Sequence, residues 1–520
     1  MTSGVTPSAQ QPIATEGADE TGSATVGETG IARFDRRVIV VGAAVFAVLM
    51  ALSTRYGFQR DELYFLDCAR HLQGSYVDQP VLIPVLARVS LWLFGLSLTG
   101  LRVWSALAAF ATVLICALTA RELGGARRAQ LLAALGAATM PVVMAADHVL
   151  ETTSLDILAW SALAFVIVRI GRTGEHRWWP LGGVILGLGL ANKHLVGFFA
   201  LAMFIGALLS RGRRAVLNWW FAAGTAVAAA FTVPDLWWQA RHGWATIAMT
   251  QALNQENGGP GHIADWIVGQ LLIVSLAMAW IWIAGLRFLW RSGRPLWRAL
   301  VWAYALLFVV FALTTGGQIY YLSGAYVYLL AAGAVAVDQW LHAKRRRVPI
   351  LAAGTVLTTA LILPIVLPVL PPDEVGWTYS LNQDGGEQVG WPELVDSVHS
   401  VWTSLPPEQR SGAVIFTGNY SEASAINELG RKVGLPTAIS GQNSEWWWGP
   451  GTSDASTVVV VASRDVTAAD VGRYFTGVRE AATVTNPYGI HNDEWGDHIY
   501  VCGGLRQPWS QLWPQLRHYD

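Results

Sequence analysis

Between Tyr56 and Pro80 the chain reads YGFQRDELYFLDCARHLQGSYVDQP, with Asp61 and Glu62 adjacent and Asp78-Gln79 just before the proline. Further on stand Asp147, His148 and Glu151, with Asp156 just inside the next apolar run. Asn192-Lys193-His194 separates two short apolar runs. Asp235, His242, Asn254, Glu256 and His262 follow, then Gln318, Tyr320 and Tyr321. Carboxylates that share a cavity with lysine and histidine suit general-base chemistry and capture of a phosphate. Each group also has a plainer reading. Asp61-Glu62 would serve as a helix cap, Asp78 as the start of a turn, and Lys193 as a snorkelling side chain. His148 and His194 would be packed histidines, and Tyr320 and Tyr321 interface aromatics.

The elements that must position these groups are membrane helices. The chain has 520 residues, of which 53% are hydrophobic and 14% charged. A soluble chain carries roughly a quarter charged residues. The 26 tryptophans fit belts at two membrane–water interfaces. The net charge of −1 argues neither for nor against nucleic acid, and no nucleic-acid partner is expected. Residues 1–33 are polar and small and read as a disordered cytoplasmic tail. It is too polar for a cleaved signal sequence, so the first apolar run reads as a signal anchor.

A span needs about 20 mostly apolar residues. Candidates are 38–54, 102–120, 130–146, 153–170, 179–191, 194–210, 216–237, 264–286, 298–315, 321–341 and 348–370. Cytoplasmic loops collect basic residues. The clusters around Arg36, Arg127, Arg172, Arg213, Arg291 and Arg345 all fall on one side if these eleven segments each cross once. The N-terminus is then cytoplasmic, and every polar group above faces outward. Segment 81–98 carries Pro84 and Arg88 and should lie along the interface. The membrane part spans 34–370, with a first outer loop over 55–101.

After Pro371-Pro372 the composition changes. AVIFTG (413–418), TVVVVA (457–462) and HIYVCG (498–503) read as strands, with helices near 421–432 and 467–475. Residues 371–520 therefore read as a soluble extracytoplasmic α/β domain. Its EWWWG run at 445–449 suits sugar stacking, membrane contact or core. Cys68 and Cys502 would share a side, so one bridge is open beside the reading of two separate thiols. No GxGxxG, P-loop or CxxC occurs.

Taken together, RDELYFLDCARHLQGSYVDQP, HVLETTSLDILAW, GLGLANKHLVGF and GGQIYYLSGAYVYLL resemble the membrane core of GT-C glycosyltransferases. More narrowly they are similar to glycosyltransferase family 39, the protein mannosyltransferase-like and aminoarabinose transferase-like proteins. The resemblance covers roughly 38–341. It implies an α-helical polytopic plasma-membrane enzyme that takes a sugar from a polyprenyl-phosphate donor at the outer face. The acceptor would be a glycan, lipid or protein of the cell envelope. By the family's motifs Asp61 would be the catalytic base with Glu62 as fallback, and Asp156 the second acidic position. Lys193 would hold the donor phosphate, helped by His194, with Asp78 and His148 nearby. Where relatives have lysine, this chain has Gln79 and Gln318, which shifts the burden to Lys193 and His194. Tyr320 and Tyr321 form the late aromatic pair. A divalent metal ion on Asp61, Asp78 and Asp156 stays open. Two other classes stay open as well: a transporter or flippase of lipid-linked substrates, and a non-catalytic glycan-binding scaffold. The outward grouping of the polar residues and the lack of an internal repeat weigh against a transporter.

Overall fold

The structure is a computed structural model that describes residues 1–2, 31–256, 262–314, 318–342, 348–451 and 455–519. Most of the tail over 1–33, the basic run 344–347 and the side chains of Asn254, Glu256 and His262 lie outside the described residues.

Every one of the eleven expected segments is helical. By length and hydropathy, four of the described helices are long and apolar enough to cross a membrane: Leu98–Glu122, Thr152–Thr173, Pro295–Leu313 and Ile319–Leu341. Two bent pairs bring the number to six. The segment expected at 130–146 is one such pair, Arg127–Ala138 and Pro141–Asp147, bent by 56°. Pro141 cannot donate into the preceding turn, so the helix restarts there. The segment expected at 264–286 is the other pair, bent by 98° between Trp266–Leu272 and Leu276–Arg291. This corrects the simple span: Ser275, at φ 77°, turns the chain at the break. The helix Trp219–Arg241 carries Pro234 and Asp235 in its interior, and Arg37–Leu52 and Leu195–Leu209 are apolar but short.

The short helix Trp179–Leu190 packs against Trp219–Arg241 with almost no space between backbones. A Cβ on Gly183 would sit 2.1 Å from the Gly224 carbonyl oxygen, and one on Gly224 would sit 2.5 Å from that of Trp179. Small residues let membrane helices approach this closely. The helix Leu82–Phe94 buries Ile83, Ala87 and Ser90 and exposes Trp92, Leu93 and Phe94. That is the shape an interfacial helix requires.

The C-terminal region holds seven strands: β1 Ala413–Thr417, β2 Ala438–Ser440, β3 Thr457–Ala462, β4 Phe475–Thr476, β5 Arg479–Thr483, β6 His498–Cys502 and β7 Gly504–Leu505. Five form a mixed sheet in the order β2-β1-β3-β6-β5, with β2, β1 and β3 parallel. All six residues of β3 are buried, as expected for an apolar central strand covered on both faces. The helix expected at 421–432 is Tyr420–Leu429 followed by a 3-10 turn. The one expected at 467–475 shrinks to Ala468–Val471, and Phe475 enters a strand.

The loop over 55–101 and this C-terminal region share a core. Leu63 is fully buried in one cluster with Trp391, Ile415, Ile426 and Val459. Full burial of such a side chain contributes about 1.5–3 kcal/mol. Polar contacts run along the same seam. Arg70 forks onto Glu428, the Asn427 amide donates to Asp67 at 2.6 Å, and the Val77 N–H donates to Ser444 Oγ at 3.0 Å. The tryptophans of EWWWG belong to it as well. Trp446 exchanges indole-to-carbonyl bonds with Trp513, Trp447 meets His242 edge-on, and Trp448 stacks on His71. No bridge joins Cys68 to Cys502: all three cysteines are free and buried.

Candidate active site

The first-loop helix Arg60–Arg70 sets the site. Gln59 caps it, accepting from the Asp61 N–H at 2.6 Å, while Glu62 Oε2 accepts from the Gln59 N–H at 2.9 Å. This reciprocal cap fixes the first turn. Successive helical residues point about 100° apart, so the two neighbouring acids part company.

Glu62 turns inward and is fully buried. Its oxygens take Arg102 Nε at 2.9 Å and Nη2 at 2.7 Å, and also the Leu150 N–H at 2.8 Å. Arg102 donates further to the carbonyls of Ser53 and Gly57, at 2.7 and 2.8 Å. Glu62 is therefore occupied by bonds that hold the loop to the membrane helices. Asp61 faces the other way, with its side chain 36% exposed. Tyr420, from the first turn of Tyr420–Leu429, donates its hydroxyl to Asp61 Oδ1 at 2.9 Å. Arg60 Nε lies 3.9 Å from the same oxygen.

Lys193 sits in the turn between Trp179–Leu190 and Leu195–Leu209. Its Nζ donates to Thr153 Oγ1 at 3.3 Å and lies 4.8 Å from the Tyr320 ring centroid and 5.8 Å from that of Tyr321. Burial holds its pKa below the usual lysine range, against the pull of Asp156, Glu151 and Asp61. Asp61 and Lys193 thus lie within reach of each other's charge. Glu151 stands just before Thr152–Thr173 with no side-chain cap bond; burial and Asp384 push its pKa up, and Lys193 opposes them. Asp156 accepts from the Trp160 indole N–H at 3.2 Å. Asp78 accepts the Tyr64 hydroxyl at 2.8 Å, and burial raises its pKa to about 7.

His194 is steered by Asp235: its Nε2 lies 2.9 Å from Oδ2, while Oδ1 accepts from Ser75 at 2.6 Å. His148 is held neutral. Its Nδ1 donates to the Ala145 carbonyl at 2.6 Å, its Nε2 accepts from the Gln388 amide at 3.0 Å, and burial depresses its pKa to about 4. A neutral, doubly bonded imidazole has no charge to offer a phosphate. The Gln79 amide is buried with both of its polar atoms unpartnered among the described residues, whereas Gln318 is exposed. Asp61, Asp78 and Asp156 do not form an ion cage: among the described residues, no three acidic, histidine or cysteine groups converge as metal ligands.

Three contributors stand outside the sequence expectations. Arg102 was placed at the start of an apolar span, where a buried charge is itself a signal of a partner. Tyr420 and Asp384 come from the C-terminal region, and no local pattern ties them to Asp61.

Comparison with known proteins bears on the class of the chain. Residues 78–238 match the family model of the dolichyl-phosphate-mannose-protein mannosyltransferases. The lipopolysaccharide core galacturonosyltransferase RgtB of Rhizobium johnstonii is 26% identical over 245 residues, covering 46% of this chain and 49% of RgtB. The chain thus spans about half the length of that curated relative. Crystal structures of ArnT from Cupriavidus metallidurans superpose along most of both chains. The form bound to undecaprenyl phosphate has a TM-score of 0.60 at 13% identity, covering 89% of this chain and 98% of ArnT. The apo form has a TM-score of 0.58 at 14% identity, covering 89% and 97%. The chain is a polytopic membrane protein with the GT-C glycosyltransferase fold. Within that class, the similarity to the dolichyl-phosphate-mannose-protein mannosyltransferase model is confined to residues 78–238.

Proposed function

We propose that the protein is a membrane glycosyltransferase that moves a sugar from a polyprenyl-phosphate donor to a cell-envelope acceptor at the outer face, with inversion. The observation that carries this reading is the pairing of a partly exposed, oriented carboxylate, Asp61, with a half-buried lysine, Lys193, whose charge it pulls on. An acceptor hydroxyl attacks the anomeric carbon, and the new C–O bond forms as the bond to the phosphate oxygen breaks. Asp61 takes the hydroxyl proton. Tyr420 engages Oδ1 and leaves Oδ2 for the acceptor. The departing lipid phosphate keeps the electron pair, and Lys193 stabilises its charge. A phosphate is a good leaving group, so no general acid is needed. Glu62 is engaged by Arg102 and is not free to act as nucleophile; with a phosphate leaving group no covalent intermediate is needed, and a single displacement inverts the anomeric centre. The ArnT structure holding undecaprenyl phosphate supports the class of donor. The distribution of basic residues supports the outward orientation of the site.

The test is transfer of labelled sugar from polyprenyl-phosphate donors by the solubilised protein. Asp61→Asn lowers turnover by about 10²–10⁴-fold, with an unfolding transition like that of the wild type. Undiminished turnover in a folded Asp61→Asn variant overturns the assignment.

A further inference from the structure

The C-terminal region holds a second hollow that the transfer chemistry does not use. It has a volume of about 350 Å³, at the small end of the roughly 300–1,000 Å³ of small-molecule sites. It lies against the edge strand β2, and His71, Asn427, Thr437, Glu445 and Trp448 line it. His71, at the end of the first-loop helix, stacks on Trp448 with ring centroids 4.3 Å apart. The Trp448 indole N–H is buried and has no partner among the described residues. Glu445 is 3% exposed and accepts from the Ser424 hydroxyl at 3.1 Å. Behind it, Asn427 and His71 are both held by Asp67.

An aromatic wall, an unpaired indole N–H and a buried carboxyl group, brought together in a space of this size, match the chemistry of a sugar ring. The apolar face of the ring stacks, and its hydroxyls exchange hydrogen bonds. An anionic headgroup would meet the Glu445 carboxyl group here and no lysine or arginine in the lining. The location adds a second argument. Asp61 lies in the first turn of the helix Arg60–Arg70, and His71 caps its far end. At 1.5 Å per residue, the two points are about 15 Å apart along the axis, the reach of a short oligosaccharide.

We propose that this cavity is a glycan subsite, holding an inner sugar of the envelope oligosaccharide whose terminal hydroxyl is presented to Asp61. The proposal rests on the reading of the chain as a glycosyltransferase toward an envelope acceptor. It makes the acceptor a chain of several sugars, and it makes the C-terminal region part of acceptor selection.

The probe is the set of oligosaccharides released by mild acid from the source cell envelope and separated by length. Two readouts apply: quenching of tryptophan fluorescence in the solubilised protein, and transfer kinetics from the polyprenyl-phosphate donor. The wild type should bind long fragments more tightly than single sugars. Trp448→Ala and Glu445→Gln should each weaken binding of the long fragments about tenfold, with the loss in transfer falling on KM. Trp448→Phe should recover part of it, since stacking on His71 survives without the N–H. Asp61→Asn should bind the long fragments like the wild type while failing to transfer. Affinity independent of fragment length, or unchanged in Trp448→Ala, overturns the subsite. Length-dependent binding without transfer in the wild type overturns the catalytic reading and leaves the subsite standing.

Discussion

Asp61 and Glu62 are neighbours with opposite surroundings, and the difference decides what each can do. Glu62 meets a guanidinium and two backbone N–H groups in a dry interior, so its charge is fully committed. Asp61 keeps one oxygen toward solvent and lends the other to Tyr420. A hydrogen bond to a charged group is worth about 1.5–3 kcal/mol. Tyr420→Phe preserves the ring contact with Tyr64, whose centroid is 4.7 Å away, and removes only the hydroxyl. Turnover in that variant should fall by about tenfold or more with donor affinity retained. Single-turnover transfer at saturating donor checks this, and an unchanged rate would remove Tyr420 from the positioning of the base. The identity of Asp61, Asp78, Asp156 and Lys193 as the polar groups to watch was legible in the chain, because charge is rare in apolar surroundings. The partner of each was not, because a partner sits at no fixed sequence distance.

At the scale of elements, Arg102 anchors the entry of Leu98–Glu122 to the loop over 55–101. It joins Glu62 to the carbonyls of Ser53 and Gly57, and it reaches Gln388 at 3.3 Å. Removing one partner of such a buried pair costs about 3–5 kcal/mol, because the other charge is left without compensation. Arg102→Leu should therefore lower the unfolding temperature of the solubilised protein sharply, and adding Glu62→Leu should restore part of the loss. Scanning fluorimetry of the two variants reads the difference; equal stability of single and double variants would show that the pair does not anchor the loop. The helices themselves followed from apolar length. Their breaks did not: the 98° bend at Ser275 and the restart at Pro141 interrupt runs that composition presents as continuous.

At the scale of the molecule, the loop over 55–101 and the C-terminal region form one seam. Asp78 lies in it, accepting the Tyr64 hydroxyl, next to Val77, whose N–H donates to the Ser444 hydroxyl of the C-terminal region. Burial raises its pKa from 3.8 to about 7. The folded chain then binds a proton in that interval which the unfolded chain has released, so stability falls as pH rises from 3.8 to about 7. Asp78→Asn, which keeps an acceptor for Tyr64 and cannot ionise, should flatten the fall. Unfolding temperatures of both proteins across that interval test this, and parallel curves would assign the pH dependence to other groups. The three adjacent tryptophans belong to the same scale: a run that suits three environments in sequence is settled by the partners it meets, Trp513, His242 and His71.

Apolar run length, basic clusters and the scarcity of charge were enough to show a multi-helix membrane chain, a sheet-bearing C-terminal region and the short set of residues with chemistry to offer. These are local properties, carried by composition and period. Long-range packing decided the rest. It turned Glu62 inward onto Arg102, left Asp61 open, and brought Tyr420 across 359 positions to orient it. It also kept the cysteines apart and held His148 neutral. Such outcomes depend on which surfaces meet once burial and hydrogen bonding are satisfied together, and no segment of the chain carries that information alone.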